Sequence, residues 1–284
     1  MPELPARTIR HSSELGSWEL LLTAPDPRLR PHVLTYCGYE EETVAFSRRR
    51  ELATPQAVLI LGFGAPIEVS IPRHGERMHA AAFVSGPSDS HALVDSFGSQ
   101  RGIQVDLTPL GAYLLLGLPM REVSNRTVAL EDVLGPEGAM LPERLYEAGG
   151  WPTRFAILDE LLLRCFARAR PASPDIAWAW RRLVETDGRL RIGELAAELR
   201  CSRRHLAARF GEQVGLPPKS FARVLRFQQA ARLVRARPYR LAEIAFECGY
   251  YDQAHLNRDF RELAGLAPTE LESLLLPDSG GIAA

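Results

Sequence analysis

Apolar residues recur with a helical period in two short segments between positions 192 and 260. In each segment they fall at i, i+3, i+4 and i+7, the spacing that places them on one buried face of a helix. The positions are Ile192, Leu195, Ala196 and Leu199 in the first segment, and Leu241, Ile244, Ala245 and Cys248 in the second. The pattern therefore predicts two equivalent amphipathic helices, each with a small alanine where another helix can cross closely.

A second helix is predicted to follow each of these. Ser202 and Asp252 stand where an N-cap is needed, because a short side-chain oxygen can accept a hydrogen bond from a free amide of the next helical turn. Apolar pairs spaced i, i+4 then anchor the second helices; they are Leu206 with Phe210, and Leu256 with Phe260. Each segment is thus predicted to be a helix-turn-helix unit, about 192–210 and 241–260, repeated along the chain.

The remaining positions of the second helices face outward and form the predicted DNA-binding surface. With the N-cap Ser202 they are Arg203, Arg204, Ala207 and Ala208 in the first unit, and Gln253, Ala254, Asn257 and Arg258 in the second. Two such units in one domain are suited to two successive major grooves of double-stranded DNA. Because alanine offers only a contact to thymine methyl groups, we expect Arg204, either alone or together with Arg203, to make most base contacts of the first unit.

The second unit and the segment between the units resemble a known family. The string Gly249-Tyr250-Tyr251-Asp252-Gln253-Ala254-His255-Leu256, followed by Phe260-Arg261, Gly265 and Pro268, is similar to the signature of the AraC/XylS family of bacterial transcription regulators. Residues Pro218, Phe221, Arg226, Phe227, Ala230 and Leu233 resemble that family's linker helix. The resemblance covers about residues 175–275, and it implies an all-α domain of two helix-turn-helix units joined by a linker helix.

The resemblance also implies partners. It implies binding to promoter DNA and a sensor half that resembles a cupin, holds a small-molecule effector and pairs with a second copy of the chain. RNA polymerase is a further partner that it allows. No cofactor, no metal and no catalytic residue are predicted for the chain. Whether the protein activates or represses, and which effector it senses, stay open at this point.

The distribution of charge agrees with a DNA partner, although the formal net charge of the 284-residue chain is only −1. Residues 189–261 carry 15 basic and 7 acidic side chains, whereas the rest of the chain carries 19 basic and 28 acidic ones. The basic excess is therefore confined to the segment with both predicted recognition helices, as attraction to phosphates requires.

The first half of the chain is predicted to be mostly β, which makes the whole chain α+β. Short apolar or β-branched runs separated by Gly, Pro and Asp occur at 32–37, 57–63, 67–71, 79–85 and 103–107, a pattern typical of a small barrel or sandwich. Helices are predicted at 110–118 and 155–166. The family resemblance favours a cupin-like barrel, but no motif supports it residue by residue.

Prolines mark the domain boundary. Pro171 and Pro174 follow the helix at 155–166 and favour an extended linker, and a further helix is predicted at 176–184. We therefore predict an effector-sensing and dimerisation domain at 1–166, a linker at 167–174 and a DNA-binding domain at 175–275. Residues 276–284 offer little to pack and are expected to be disordered.

Enzyme and metal functions find few signals in the sequence. Phosphate-loop, dinucleotide-binding and serine-hydrolase motifs are missing. The isolated His74 and His79 lack the clustered spacing of a metal-binding cupin, although they could meet in space. A cupin-type metalloenzyme fused to a DNA-binding module is therefore the alternative function. Arg48, Arg49 and Arg50 are expected to be a solvated loop, or else a contact to DNA or to an anionic effector.

The cysteines and the apolar runs add little. Four scattered cysteines indicate neither a disulfide framework nor a zinc site, so Cys201 and Cys248 are interpreted as small buried side chains and not as redox sensors. No apolar run has the length of a membrane span, and the first residues lack a signal peptide's apolar core. A cytoplasmic protein is expected.

Overall fold

The computed structural model describes residues 6–14, 16–236, 240–277 and 281–284. The strands are β1 Arg7–Ser13, β2 Gly16–Thr23, β3 Val33–Glu51, β4 Ala57–Gly62, β5 Ile67–Ile71, β6 Glu76–Ala80, β7 Ala82–Ser85, β8 Ala92–Leu107 and β9 Thr127–Ala129. The helices are α1 Pro109–Leu116, α2 Leu130–Glu147, α3 Trp151–Arg168, α4 Pro174–Glu185, α5 Ile192–Glu198, α6 Arg203–Val214, α7 Pro218–Ala236, α8 Leu241–Glu247, α9 Gln253–Leu263 and α10 Pro268–Leu271. The chain is α+β, with a mostly-β part from β1 to α3, termed the β half, followed by a helical part from α4 to α10, termed the helical half.

The strands form one sheet around the long antiparallel pair β3 and β8. The order is β1-β2-β3-β8-β4-β7-β9, and the hairpin of β5 and β6 joins the far end of β8. Among the described strands no pairing connects β1 with β9, so the sheet is open and not a closed barrel. The expected mostly-β domain is confirmed, and its sheet is more continuous than the predicted short runs.

The sheet buries one face against α1 and α3. Tyr36, Leu59, Ile103 and Val105 are almost completely buried in this core, because alternate residues of a strand point to the same face. The ring of Tyr36 stacks on Phe155 of α3 at a centroid distance of 5.6 Å, and its hydroxyl donates to Asp159 Oδ1 over 2.9 Å. Helix α3 is therefore fixed to the sheet by both apolar and polar contacts.

The helical half has a separate core built around α7. Phe210, Phe221, Phe227 and Phe260 are fully buried there. Both sides of α7 contribute to this core, since Val224, Ala230 and Leu233 are buried as well. A helix with so little exposed surface is a scaffold on which the other helices pack.

The two halves are docked directly on each other. The backbone amide of Ala53, in the loop between β3 and β4, donates to the carbonyl oxygen of Leu263 at the end of α9 over 3.0 Å. Gln228 of α7 donates from Nε2 to the carbonyl oxygen of Ala53, and Arg50 Nη1 donates to the carbonyl oxygen of Ala264 over 3.1 Å. Ala53 is fully buried and belongs to the helical core. The end of α9, the second predicted recognition helix, is therefore held by the β half.

A second contact joins the halves at the first recognition helix. The turn Met120–Glu122 and α1 pack against α6. Gly215, just after α6, lies so close to Ser124 that a Cβ atom there would be 2.0 Å from the Ser124 hydroxyl. Since both recognition helices end against the β half, that half defines part of their surroundings.

The expectation that residues 276–284 are disordered is wrong for the described part of that segment. The amide of Arg50 donates to the carbonyl oxygen of Ile282 over 2.8 Å, and the amide of Ala284 donates to the carbonyl oxygen of Arg48 over 3.2 Å. Ile282 is only 5% exposed. The segment is ordered because β2 ends its pairing with β3 at Thr43, which leaves the edge of β3 free for residues 282–284.

Arg48, Arg49 and Arg50 lie on strand β3 and not in a solvated loop. Arg48 forms a bidentate pair with Asp95, with Nε–Oδ1 and Nη2–Oδ2 distances of 2.7 and 2.6 Å. Arg49 pairs with Glu41. Because these cations have partners in the sheet or at the domain contact, they are structural and not a free basic patch.

Candidate nucleic-acid interface

The two predicted helix-turn-helix units are present in the structure. The first consists of α5 and α6 and the second of α8 and α9, with the two short first helices buried at Leu195 and Ala196, and at Ile244 and Ala245. The predicted linker helix between the units is α7. Its 19 residues give a length of about 28 Å at 1.5 Å per residue.

Both predicted N-caps have the expected geometry. The Ser202 hydroxyl accepts from the amide of His205 over 3.1 Å, and Asp252 Oδ1 accepts from the amide of His255 over 2.7 Å. Each cap satisfies one free amide of the first turn, and the carboxylate of Asp252 also complements the positive end of the α9 dipole. The start of each recognition helix is therefore fixed by its own sequence.

The aromatic anchors of the recognition helices pack on the linker helix in the same way. Phe210 of α6 meets Phe221 edge to face at 5.6 Å, and Phe260 of α9 meets Phe227 edge to face at 5.0 Å. Leu206 and Leu256 are buried beside them. The prediction that these residues anchor the second helices is confirmed, and α7 is the body on which both are mounted.

The opposite faces of α6 and α9 carry the predicted DNA-binding residues. Of the nine, seven are exposed and two are half-buried; the exposed ones are Ser202, Arg203, Arg204, Ala208, Gln253, Ala254 and Arg258. Ala207 and Asn257 are half-buried. The side-chain oxygen of Asn257 is buried and has no hydrogen-bond partner among the described residues. The structure thus brings each set together on one face of its helix.

Arg203 differs from the other outward residues because its side chain turns back toward α5. A Cβ atom on Gly193, in the first turn of α5, would lie 2.6 Å from Arg203 Nη2. In helix-turn-helix proteins the first helix crosses the DNA backbone and the second reads bases. The position of the Arg203 guanidinium therefore favours phosphate contact over base contact.

Ion pairs between the helices were not predicted from the sequence. Arg209 of α6 forms a bidentate pair with Asp175 of α4. Arg223 of α7 donates from Nε to Asp259 Oδ1 of α9 over 2.9 Å and also pairs with Glu262. The carboxylate of Asp259 is only 2% exposed. A signal was available, since Arg209 and Asp259 both precede the anchoring phenylalanine of their helix.

Two large exposed side chains of the second unit were also missed. Tyr251 is 93% exposed and precedes the N-cap of α9, while Phe246 is 87% exposed on α8. Tyr251 stands beside the predicted DNA-binding face at the start of α9, where aromatic hydroxyls can contact phosphates. The family-like string contains Tyr251, but its exposure could not be seen from the hydrophobic period.

The thiol of Cys248 is buried at the end of α8 and is only 2% exposed. Burial raises its pKa to about 11, so the thiol stays protonated at neutral pH and is a poor nucleophile. The interpretation of Cys248 as a small buried side chain is in keeping with this environment.

The histidines suggested as metal ligands lie in the β half. His74 Nε2 is 3.7 Å from an oxygen of Asp89. Across residues 6–14, 16–236, 240–277 and 281–284, no three His, Cys, Asp or Glu side chains are placed to hold a metal ion. In the same ranges, no helix is both long enough and apolar enough to cross a membrane.

Two domain families match the chain. Residues 195–273 match a helix-turn-helix domain family, and residues 22–129 match a domain family of unknown function, DUF6597. The HTH-type transcriptional regulator MtrA of Neisseria gonorrhoeae is 31% identical over 77 residues, which is 27% of this chain and 26% of that protein. The HTH-type transcriptional activator RhaS of Klebsiella pneumoniae (strain 342) is 31% identical over 78 residues, 28% of each chain. The matches span about a quarter of these curated relatives.

Solved structures give weaker similarities. The crystal structure of ToxT from Vibrio cholerae O395 is 12% identical, with a TM-score of 0.47, and the match covers 82% of this chain and 98% of that one. The DNA-binding domain of AdpA, solved in complex with a target DNA, is 27% identical, with a TM-score of 0.34 over 36% of this chain and 92% of that one.

Proposed function

We propose that the protein is an AraC-type transcription regulator that binds promoter DNA through two successive major-groove segments, because residues 195–273 match a helix-turn-helix domain family and are similar to two HTH-type transcription regulators. The single observation that carries the proposal is the pair of capped recognition helices, α6 and α9, mounted on one linker helix with their polar faces exposed. The basic excess of residues 189–261 supports it, because cationic side chains offset the repulsion between DNA and an acidic surface.

Within this proposal the exposed residues divide into two roles. Arg204 and Arg258 are exposed arginines whose forked guanidiniums are assigned to guanine edges, while Gln253 and Asn257 suit adenine. Arg203, Ser202 and Tyr251 are assigned to phosphates. The small residues Ala207, Ala208 and Ala254 permit close approach and contact thymine methyl groups.

The β half is assigned the role of effector sensor. Its support is the direct docking of that half on the ends of both recognition helices, through Ala53 and Arg50 at α9 and through the turn Met120–Glu122 at α6. A small molecule that favours one arrangement of this contact would change DNA affinity, and DNA would change effector affinity by the same factor. Pairing with a second copy and contact with RNA polymerase complete the proposal.

The test is selection of DNA by the 284-residue chain from a random library, followed by footprinting of the enriched sequence. We expect one copy to protect two elements on the same face of the duplex, about one helical turn apart. Enrichment of a single short element, or of no sequence, would contradict two-module binding. Genome-wide footprints in the source organism then identify the regulated genes and the class of effector to try.

A further inference from the structure

The helix that precedes each helix-turn-helix unit also belongs to the repeat. Helix α4 precedes the first unit as α7 precedes the second. Counted back from the start of the next helix, the buried residues of α4 and α7 fall at nearly the same places: Ile176 matches Val224, Ala179 matches Phe227, and Leu183 matches Ala231. The domain thus contains two repeats of a scaffold helix, a short helix and a recognition helix.

An ion pair joins the scaffold helix to the recognition helix in each repeat, at matching places. In the first repeat Asp175 is on the scaffold helix and Arg209 on the recognition helix. In the second repeat the charges are exchanged, with Arg223 on the scaffold helix and Asp259 on the recognition helix. Equivalent sites in the two repeats therefore carry opposite charges.

This exchange of charges favours packing of each recognition helix on the scaffold helix of its own repeat over packing on the other scaffold helix. If α6 lay on α7 where α9 lies, Arg209 would face Arg223, and if α9 lay on α4, Asp259 would face Asp175. Like charges in contact oppose such arrangements. Helix α6 does touch α7, but through Phe210 and Phe221 near the start of α7. The repulsion between Arg209 and Arg223 therefore opposes a shift of α6 along α7 to the site that α9 occupies.

The ion pair of the second repeat, Arg223 with Asp259, is more buried than that of the first repeat. The Asp259 side chain is 2% exposed and that of Arg223 is 24% exposed, against 37% for Asp175 and 35% for Arg209. Among the described residues Arg223 donates one hydrogen bond to Asp259 Oδ1, and Asp259 Oδ2 has no partner. A buried carboxylate that loses its cation is strongly unfavourable, so the orientation of α9 on α7 depends on this pair.

We infer that Arg223 and Asp259 are positioning residues that fix the second recognition helix on the linker helix, and that their reversed charge order relative to Asp175 and Arg209 assigns each recognition helix to the scaffold of its own repeat. The inference rests on the proposed two-module binding of DNA. Asn257 and Arg258 immediately precede Asp259 on α9, so a change in the orientation of α9 moves the predicted base-reading residues of the second unit only.

The experiment compares variants of the 284-residue chain on two DNAs: the selected two-element operator, and the same operator with the element of the second unit scrambled. Arg223→Gln should weaken binding to the intact operator about 10-fold, a loss typical of a broken partly buried contact, and leave binding to the scrambled operator unchanged. Arg209→Gln should weaken binding to both. The matched control is Arg232→Gln, which removes an exposed cation from α7 whose Nε donates to Gln229 of the same helix.

Charge exchange provides the decisive step. Asp259→Arg should reduce binding to the intact operator further. The added changes Arg223→Asp and Glu262→Gln should restore most of it, because the pair is re-formed with the polarity of the first repeat and the new carboxylate on α7 does not face the carboxylate of Glu262. Equal losses on both DNAs for Arg223→Gln, or no rescue by the exchanged pair, would overturn the inference. If Asp259→Arg does not fold, as judged by circular dichroism, Asp259→Asn replaces it and the two-operator comparison decides. Failure of the unaltered chain to select any two-element operator would instead refute the proposed function.

Discussion

Arg200 and Gly249 hold the same left-handed backbone conformation at the same place in the two units, with φ of +50° and +74°. Each residue lies two positions after the last residue of a first helix, at Glu198 and Glu247, and turns the chain toward the recognition helix. Glycine adopts this conformation without steric cost, whereas an L-residue with a side chain is strained there by roughly 1–2 kcal/mol. The first unit thus holds strain that the second unit avoids.

We therefore expect Arg200→Gly to raise the free energy of unfolding by about 1 kcal/mol, since relief of strain exceeds the added flexibility of the unfolded chain. Gly249→Ala should lower it by a similar amount, and its Cβ atom would also lie 3.3 Å from Arg189 Cγ. Urea unfolding followed by circular dichroism measures both. A loss of stability in Arg200→Gly would mean that the arginine side chain contributes more than its backbone costs.

Replacement of Arg204 by alanine should reduce affinity for the selected operator by roughly 1–3 kcal/mol and relax the base preference at one position of the first element. The reason is that Arg204 is an exposed arginine of α6, whereas the guanidinium of Arg203 lies beside Gly193 of α5. Arg203→Ala is the matched comparison, and it should weaken binding to specific and random DNA alike. Titration of both variants on both DNAs distinguishes the roles, and equal losses for Arg204→Ala would make it a phosphate contact.

Insertion of five base pairs between the two elements should abolish tight binding by the unaltered chain. Half a helical turn places the second element on the far face of the duplex, and α7 is too rigidly packed to follow. An insertion of ten base pairs adds about one full helical turn. It returns the second element to the same face of the duplex but increases the distance between the two elements, so it distinguishes the effect of rotation from that of distance. Unchanged affinity after the five-base-pair insertion would contradict the rigid mounting of both units.

Ala53→Asp should loosen the contact between the halves. It places a carboxylate at a fully buried position that touches α7 and α9, which costs several kcal/mol unless the contact opens. We expect trypsin to cleave faster after Arg168, at the end of α3, because the segment before α4 is released. The control is Ala139→Asp, at an exposed position of α2. Equal cleavage rates in the two variants would show that Ala53 does not hold the halves together.

The pH dependence of stability should report on Glu262. Its hydrogen bond from Arg223 lowers its pKa below the ordinary 4.5. A carboxyl group with a lowered folded pKa stabilises the protein fully above its unfolded pKa, and that contribution is lost as the pH falls through the folded value. Urea unfolding of Glu262→Gln should therefore show a smaller loss between pH 5 and pH 3 than the unaltered chain. Glu247→Gln, at an exposed position of α8, is the control.

The helical half could be predicted closely because its information is local. Caps at Ser202 and Asp252 and the i, i+4 pairs Leu206 with Phe210 and Leu256 with Phe260 define each recognition helix within about ten residues. The helix predicted at 176–184 is α4, and that at 110–118 is α1. These features depend on neighbours in the sequence and not on the rest of the fold.

The β half was predicted only in part because its pairing is not local. β3 continues to Glu51 through a polar stretch, Glu40 to Glu42, that has no strand-like apolar pattern and is held by its register with β8. Strand β1 is mostly exposed and strand β2 is mostly half-buried. Nothing marks Ala53 as a docking residue in the sequence either, since one alanine has no pattern and its partners are more than 170 residues away.

The pairing of Arg49 with Ala283 joins backbone segments more than two hundred residues apart. Contacts of such separation close late in folding, because the loop they enclose must first be shortened by the folding of its parts. The hydrogen bond from the Arg50 amide to Ile282 can thus form only when both halves are folded and docked. Hydrogen exchange at that single amide should consequently follow the docking equilibrium itself, which makes it an internal reporter of any molecule that separates the two halves.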